Sequence, residues 1–214
     1  MKLDSVVEAA IERLDATNGA REAALATSRV LIRQCANAIR AIHRQEWPTA
    51  QELLTAAQQT ADELRARLAD HPAILHAGYT QDAFKEYAEA RLTYALVHGD
   101  ELPSAEALGV EPAAYLNGLA EAASELRRYI LDGLRHGALA TGERLLEAMD
   151  DVYSLLVTVD YPDAVTGGLR RTTDALRAVL ERTRGDLTTA LRQERLMAAI
   201  AQLEGRLSAP EPEP

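Results

Sequence analysis

A single cysteine, Cys35, excludes an internal disulfide and leaves one chain without the thiolates a structural zinc site needs. Aromatic residues make up only 4% of the sequence, and strand-favouring residues are sparse beside alanine and leucine. No stretch approaches the roughly 20 apolar residues of a membrane-spanning helix. Met1-Lys2-Leu3-Asp4 runs into Glu8, Glu12 and Arg13 without the apolar run of a signal peptide. The expectation is a cytoplasmic chain with no membrane partner. Gly-rich phosphate loops, a Gly-x-Ser-x-Gly elbow and a His-Glu-x-x-His helix are all missing. None of the five histidines follows a glutamate by three residues, which excludes the di-iron carboxylate bundle motif. Carboxylates and arginines remain as the carriers of any chemistry.

What is present is helix-forming. Hydrophobic residues reach 47% of 214, enough for one domain with a substantial core. Turn signals at Pro48, Asp70-His71-Pro72, Gly99-Asp100, Glu111-Pro112, Tyr161-Pro162 and Gly167-Gly168 divide the chain into long helical segments. Asn18-Gly19 predicts an interruption in the first segment, and Gly185 a weak point in the last. The reading is an all-α single domain over residues 1–207. Residues 208–214, which alternate proline and glutamate, are expected to form a disordered tail.

The net charge of −10 argues against a protein that coats nucleic acid by bulk positive charge. Its distribution is uneven. Arg21, Arg29, Arg33, Arg40 and Arg44 face the single acid Glu22 within their stretch, whereas residues 70–111 carry eight acids against Lys85 and Arg91. Arg29, Arg33, Asn37, Arg40 and Arg44 recur at offsets of four, four, three and four, so they share one helix face, with Ser28 and His43 beside it. Such a stripe can follow a phosphate backbone, or it can be a solvated face making salt bridges.

Two helices concentrate acids. In the segment from Gln81 to His98, Phe84, Ala88 and Leu92 form one apolar line, and Ala83, Tyr87, Ala90 and Tyr94 form another. Between them runs a narrow polar stripe of Asp82, Glu86, Glu89 and Thr93. A helix apolar on both flanks packs on both, which turns that stripe into a groove. In the segment opened by Pro112, Asn117, Glu121, Glu125, Arg128 and Asp132 form a polar line beside the apolar line of Leu119, Ala123, Leu126, Ile130 and Leu134. Glu86/Glu89 and Glu121/Glu125 are like-charged neighbours, each pair unfavourable by roughly 0.2–0.5 kcal/mol in isolation. A divalent cation would remove that penalty, and oxygen ligands suit Mg²⁺ or Mn²⁺. Glutamates at this spacing are also common on plainly solvated helices. Cys35 reads as core and Trp47 as packing over a helix corner.

Three stretches in register resemble the translin family, and within it the Trax (translin-associated factor X) branch. They are Ser28-Arg29 through His43-Arg44; Glu86-Tyr87-Ala88-Glu89-Ala90; and Tyr115-Leu116-Asn117-Gly118-Leu119-Ala120-Glu121 followed by Ser124-Glu125-Leu126. The likeness covers roughly residues 21–205 as a seven-helix pattern. It implies a hollow, usually octameric shell that holds single-stranded nucleic acid, and a Mg²⁺-dependent endoribonuclease. The resemblance places Glu86, Glu89, Glu121 and Glu125 as metal-holding and catalytic residues. It gives Arg29, Arg33, Arg40, His43, Arg44 and Arg128 to nucleic-acid binding. Glu121 stands where Trax has an aspartate, and Glu86 to Ala90 where the translin branch has histidines and a tryptophan. The implied partners are single-stranded RNA, single-stranded DNA, and further copies of the chain or a translin-like subunit. A shell that binds without cutting and a helical scaffold with no nucleic-acid role are the competing readings.

Overall fold

A computed structural model describes residues Leu3–Leu207 and contains nine helices and no strand among them. In chain order these are α1 (Leu3–His43), α2 (Trp47–Arg67), α3 (Pro72–Leu75), α4 (Gly78–His98), α5 (Ala105–Leu108), α6 (Pro112–Leu134), α7 (Leu139–Leu156), α8 (Asp163–Thr166) and α9 (Leu169–Leu207). Six are long, and α3, α5 and α8 are single turns in the connections. The expected disordered tail lies outside the described residues.

Two expectations fail in the same way. Helix α1 runs unbroken through Asn18-Gly19, and α9 runs unbroken through Gly185. An interior glycine costs a helix about 1 kcal/mol relative to alanine, which the flanking helix-forming residues over 41 and 39 positions absorb. Prolines act where a helix begins: Pro48, Pro72 and Pro112 all sit in a first turn, where no amide donor is lost from the helical ladder. The turn from α1 to α2 places Gln45 in the left-handed region, with φ of 58°, and the Glu46 amide donates back to the Ala41 carbonyl at 2.9 Å. That bond satisfies a carbonyl which the helix end would otherwise leave open. Trp47 closes the corner as expected, edge-on to Tyr94 and His98.

Helix α4 lies at the centre. It packs on α1 along one side and on α6 along the other, while α1 is backed by α2 and α6 by α7 and α9. Phe84, Ala88, Leu92, Ala83, Tyr87 and Ala90 are all buried, so both apolar lines of α4 find partners. The α4–α6 contact is built from small residues. Ala88 and the α4 backbone at Lys85 and Glu89 meet Gly118 of α6, a helix that also buries Ala120, Ala122 and Ala123, and interaxial distance is set by side-chain size at the contact.

The two longest helices outrun the bundle. Leu3, Val7, Ile11 and Leu14 on α1, and Leu196, Ile200, Leu203 and Leu207 on α9, are exposed at heptad-like spacing. Among the described residues, no helix is long and apolar enough to cross a membrane.

Candidate functional site

Gly118 fixes the distance between the two acid-bearing helices. A Cβ at this position would lie 2.8 Å from the Lys85 carbonyl oxygen, 3.0 Å from Ala88 Cβ and 3.0 Å from the Glu89 amide nitrogen. Two of those three obstacles are backbone, so only glycine permits this approach. Glu121, about one turn beyond Gly118 on α6, is thereby brought to Glu86 and Glu89 on α4.

Glu86, Glu89 and Glu121 each offer a carboxylate oxygen, and these oxygens lie within 4.8 Å of one another. Glu89 is buried, 8% exposed, whereas Glu86 and Glu121 are half-buried. Burial, reinforced by the charges of Glu86, Glu121 and Glu125, pushes the Glu89 pKa up to about 8. Cys35 on α1 lies under the same cluster: burial, then Glu86 and Glu89, hold its thiol well above the usual range. That leaves the thiol neutral and inert, in keeping with a core residue.

Two side chains that the sequence did not mark as supports hold the acids in place. Lys85 Nζ donates to both carboxylate oxygens of Glu121, at 2.8 and 2.6 Å, and lies 3.4 Å from Glu86. Burial would lower the Lys85 pKa, but the hydrogen bond and charge of Glu121, with Glu86, outweigh it and raise the pKa. His43, the last residue of α1, places Nε2 2.7 Å from Glu125 Oε2 on α6. The ring is buried and its Nδ1 has no hydrogen-bond partner.

The remaining candidates lie elsewhere. Arg29, Arg33, Arg40 and Arg44 are exposed. At about 100° per residue they occupy the face of α1 opposite Leu31, Cys35, Ala38 and Ile42. Arg40 bonds Asn37 and Arg44 pairs with Glu46, while Arg29 and Arg33 make no ion pair among the described residues. Arg128 is exposed and 3.9 Å from Asp132. His43, adjacent to the stripe in sequence, is buried and turned to Glu125 instead. Asn117, read as part of a polar line, is a buried tie: its amide donates to the Thr166 and Ala113 carbonyls and accepts from the Thr172 hydroxyl at 2.7 Å. It fastens α6 to α8 and α9.

A groove of about 590 Å³ opens beside the cluster, lined by Lys85 and Glu121 together with Asp82, Gln81, Glu111 and Asn117. A larger cleft of about 960 Å³ between the end of α7 and the start of α9 contains none of the predicted site residues.

No family model matches the chain. An uncharacterized protein from Methanocaldococcus jannaschii is 31% identical over 191 residues, 88% of this chain and 84% of that protein. Among solved structures, AfC3PO, determined alone and as a complex with duplex RNA, is 32% identical and superposes with a TM-score of 0.82. That match covers 89% of this chain and 98% of the other. Apo-NeC3PO, 18% identical over the same shares with a TM-score of 0.78, shows likeness of fold alone. The relatives, the near-complete coverage and the shared all-helical architecture agree: the chain belongs to the translin family.

Proposed function

We propose that this chain is a Trax-like, Mg²⁺- or Mn²⁺-dependent endoribonuclease acting on single-stranded RNA. The observation that carries the reading is the meeting of Glu86, Glu89 and Glu121 with their oxygens inside 4.8 Å, around a buried glutamate that resists ionisation in the cation-free protein. An all-oxygen carboxylate set suits a hard divalent cation. The fit is chemical as well as spatial: such a cation would offset both the burial and the neighbouring carboxylate charges that raise the Glu89 pKa. When bound, the ion would supply Lewis-acid polarisation of a phosphodiester and activation of water.

The chain's own residues supply the rest. Glu86, Glu89 and Glu121 hold the cation. Glu125, held by His43, has a free oxygen with which to orient an attacking water or take its proton. Arg29, Arg33, Arg40 and Arg44, with Arg128, contact phosphates without reading sequence. The exposed apolar stripes on α1 and α9 support assembly with further subunits, which would place the stripe and the cluster within a shared interior.

A non-catalytic shell is the second reading. It is favoured by Lys85, which already neutralises part of the cluster. AfC3PO has been determined with duplex RNA, so both strand states belong in the test. End-labelled single-stranded and duplex RNA are incubated with purified protein in Mg²⁺, in Mn²⁺ and in chelator, with Glu89→Gln alongside. Cation-dependent cutting of the single strand, reduced about 100-fold or more by Glu89→Gln, supports the nuclease. Binding without cutting in either cation selects the shell.

A further inference from the structure

Lys85 occupies an unusual place for a cation. Its ammonium lies between Glu121 and Glu86, donating to both oxygens of the former. No other cation pairs with Glu86 or Glu121 among the described residues. Its ammonium engages both oxygens of Glu121, so a divalent ion drawing on that carboxylate competes with it for the same negative charge. The stem of Lys85 also lines the groove beside the cluster, where Asp82 and Glu111 offer further carboxylates.

We propose that Lys85 is the site's own exchangeable counter-ion: it caps Glu121 and Glu86 in the cation-free protein and swings into the adjoining groove when a divalent cation loads. The proposal rests on the metal reading of the cluster. Lysine suits this task better than arginine, being a compact point charge on a flexible stem that holds its partner without a planar, bidentate lock. Exchange keeps the cluster's charge compensated in both states, and it sets a threshold on cation affinity, because loading must displace an ion pair.

The chain contains only two lysines, Lys2 and Lys85, which makes the exchange directly observable. Acetylation of the native protein by an amine-reactive ester is followed at each lysine by peptide mass spectrometry, with and without Mg²⁺. Lys85 is expected to react several-fold faster with Mg²⁺ while Lys2 does not change. Unchanged or slower reaction at Lys85 under saturating Mg²⁺ overturns the proposal.

Mn²⁺ binding, read by loss of the free-ion electron paramagnetic resonance signal, provides the second arm. Lys85→Met is expected to bind Mn²⁺ about tenfold more tightly than the native protein, because a competing positive charge is gone. Lys85→Arg, which keeps the charge and adds a bidentate lock, should bind no more tightly than the native protein. Adding Glu89→Gln to Lys85→Met should abolish the gain, and a gain that survives belongs to another site and defeats the idea. Equal Mn²⁺ affinity of native protein and Lys85→Met overturns the exchange alone. No binding by either overturns the metal reading and the exchange with it.

Discussion

His43 and Glu125 join the end of α1 to the middle of α6 through one contact of 2.7 Å between Nε2 and Oε2. A ring nitrogen facing a carboxylate at that distance donates, while the buried Nδ1 makes no hydrogen bond. The ring therefore holds one carboxylate oxygen and limits where the other can point. His43→Ala is expected to lower RNA cleavage about 10–100-fold, the usual effect of losing a residue that orients a site carboxylate. RNA affinity should hold, and His43→Gln, which keeps a donor at the Nε2 position, should recover most of the rate. A matching fall in affinity, measured by filter binding, would instead make His43 a contact to RNA.

Gly118 and Gly185 are both interior helix glycines with opposite surroundings. Gly185→Ala meets nothing within 4 Å and should stabilise the protein by up to about 1 kcal/mol through helix propensity. Gly118→Ala gains the same propensity but drives a methyl into the α4 backbone. Overpacking against a backbone that cannot move alone costs about 1–3 kcal/mol and wins. Urea midpoints should shift in opposite directions, and Gly118→Ala should also weaken Mn²⁺ binding because Glu121 moves with α6. Stabilisation by Gly118→Ala would mean that the helices part freely there.

Glu89 makes stability depend on pH with a defined sign. Its pKa rises from an ordinary 4.5 to about 8 on folding, so between those values the native state holds a proton that the unfolded chain has released. Stability is then full below about pH 4.5 and is lost as pH rises through about 8. In chelator, the melting temperature of the native protein should fall across that window more than that of Glu89→Gln, whose amide stays neutral. Mg²⁺ should offset the fall, since it favours the ionised carboxylate. Parallel pH profiles for the two proteins would show that Glu89 does not carry the effect.

Arg29 and Arg33 have no acidic partner among the described residues, unlike Arg44. If they contact phosphates, the double change to alanine weakens RNA binding at low salt and reduces the slope of log affinity against log salt by about 1–2. Glu125 and the carboxylate cluster are untouched by the change, so Mn²⁺ affinity should not move. An unaltered salt slope would assign the stripe to solvent or to another protein surface.

Much of the fold was readable because it rests on local chemistry. Alanine and leucine at helical spacing, with proline in first turns, set the helices and most of their ends. Asn18-Gly19 and Gly185 were misread because a turn signal competes with the whole run of helix formers around it, and here the run prevails. The two-sided apolar pattern of α4 foretold packing on both flanks, because periodicity reports which faces are buried; of the polar stripe between them Asp82 lines the groove and Glu89 is buried. Gly118 carries a further signal: a glycine inside an alanine-rich helix marks a close approach.

Sequence by itself determined the all-helical class, the faces of α4 and α6 that carry acids, and the arginine face of α1. These follow from backbone geometry repeated every few residues. Tertiary structure decided which of those faces meet. It joined Glu121 to Glu86 and Glu89 across Gly118, placed Lys85 on Glu121, turned His43 inward to Glu125, and made Asn117 a tie rather than part of the polar line. Those pairings span 32 to 82 positions in the chain. They depend on how closely two helices approach, which the packing of small residues sets and helical periodicity leaves open.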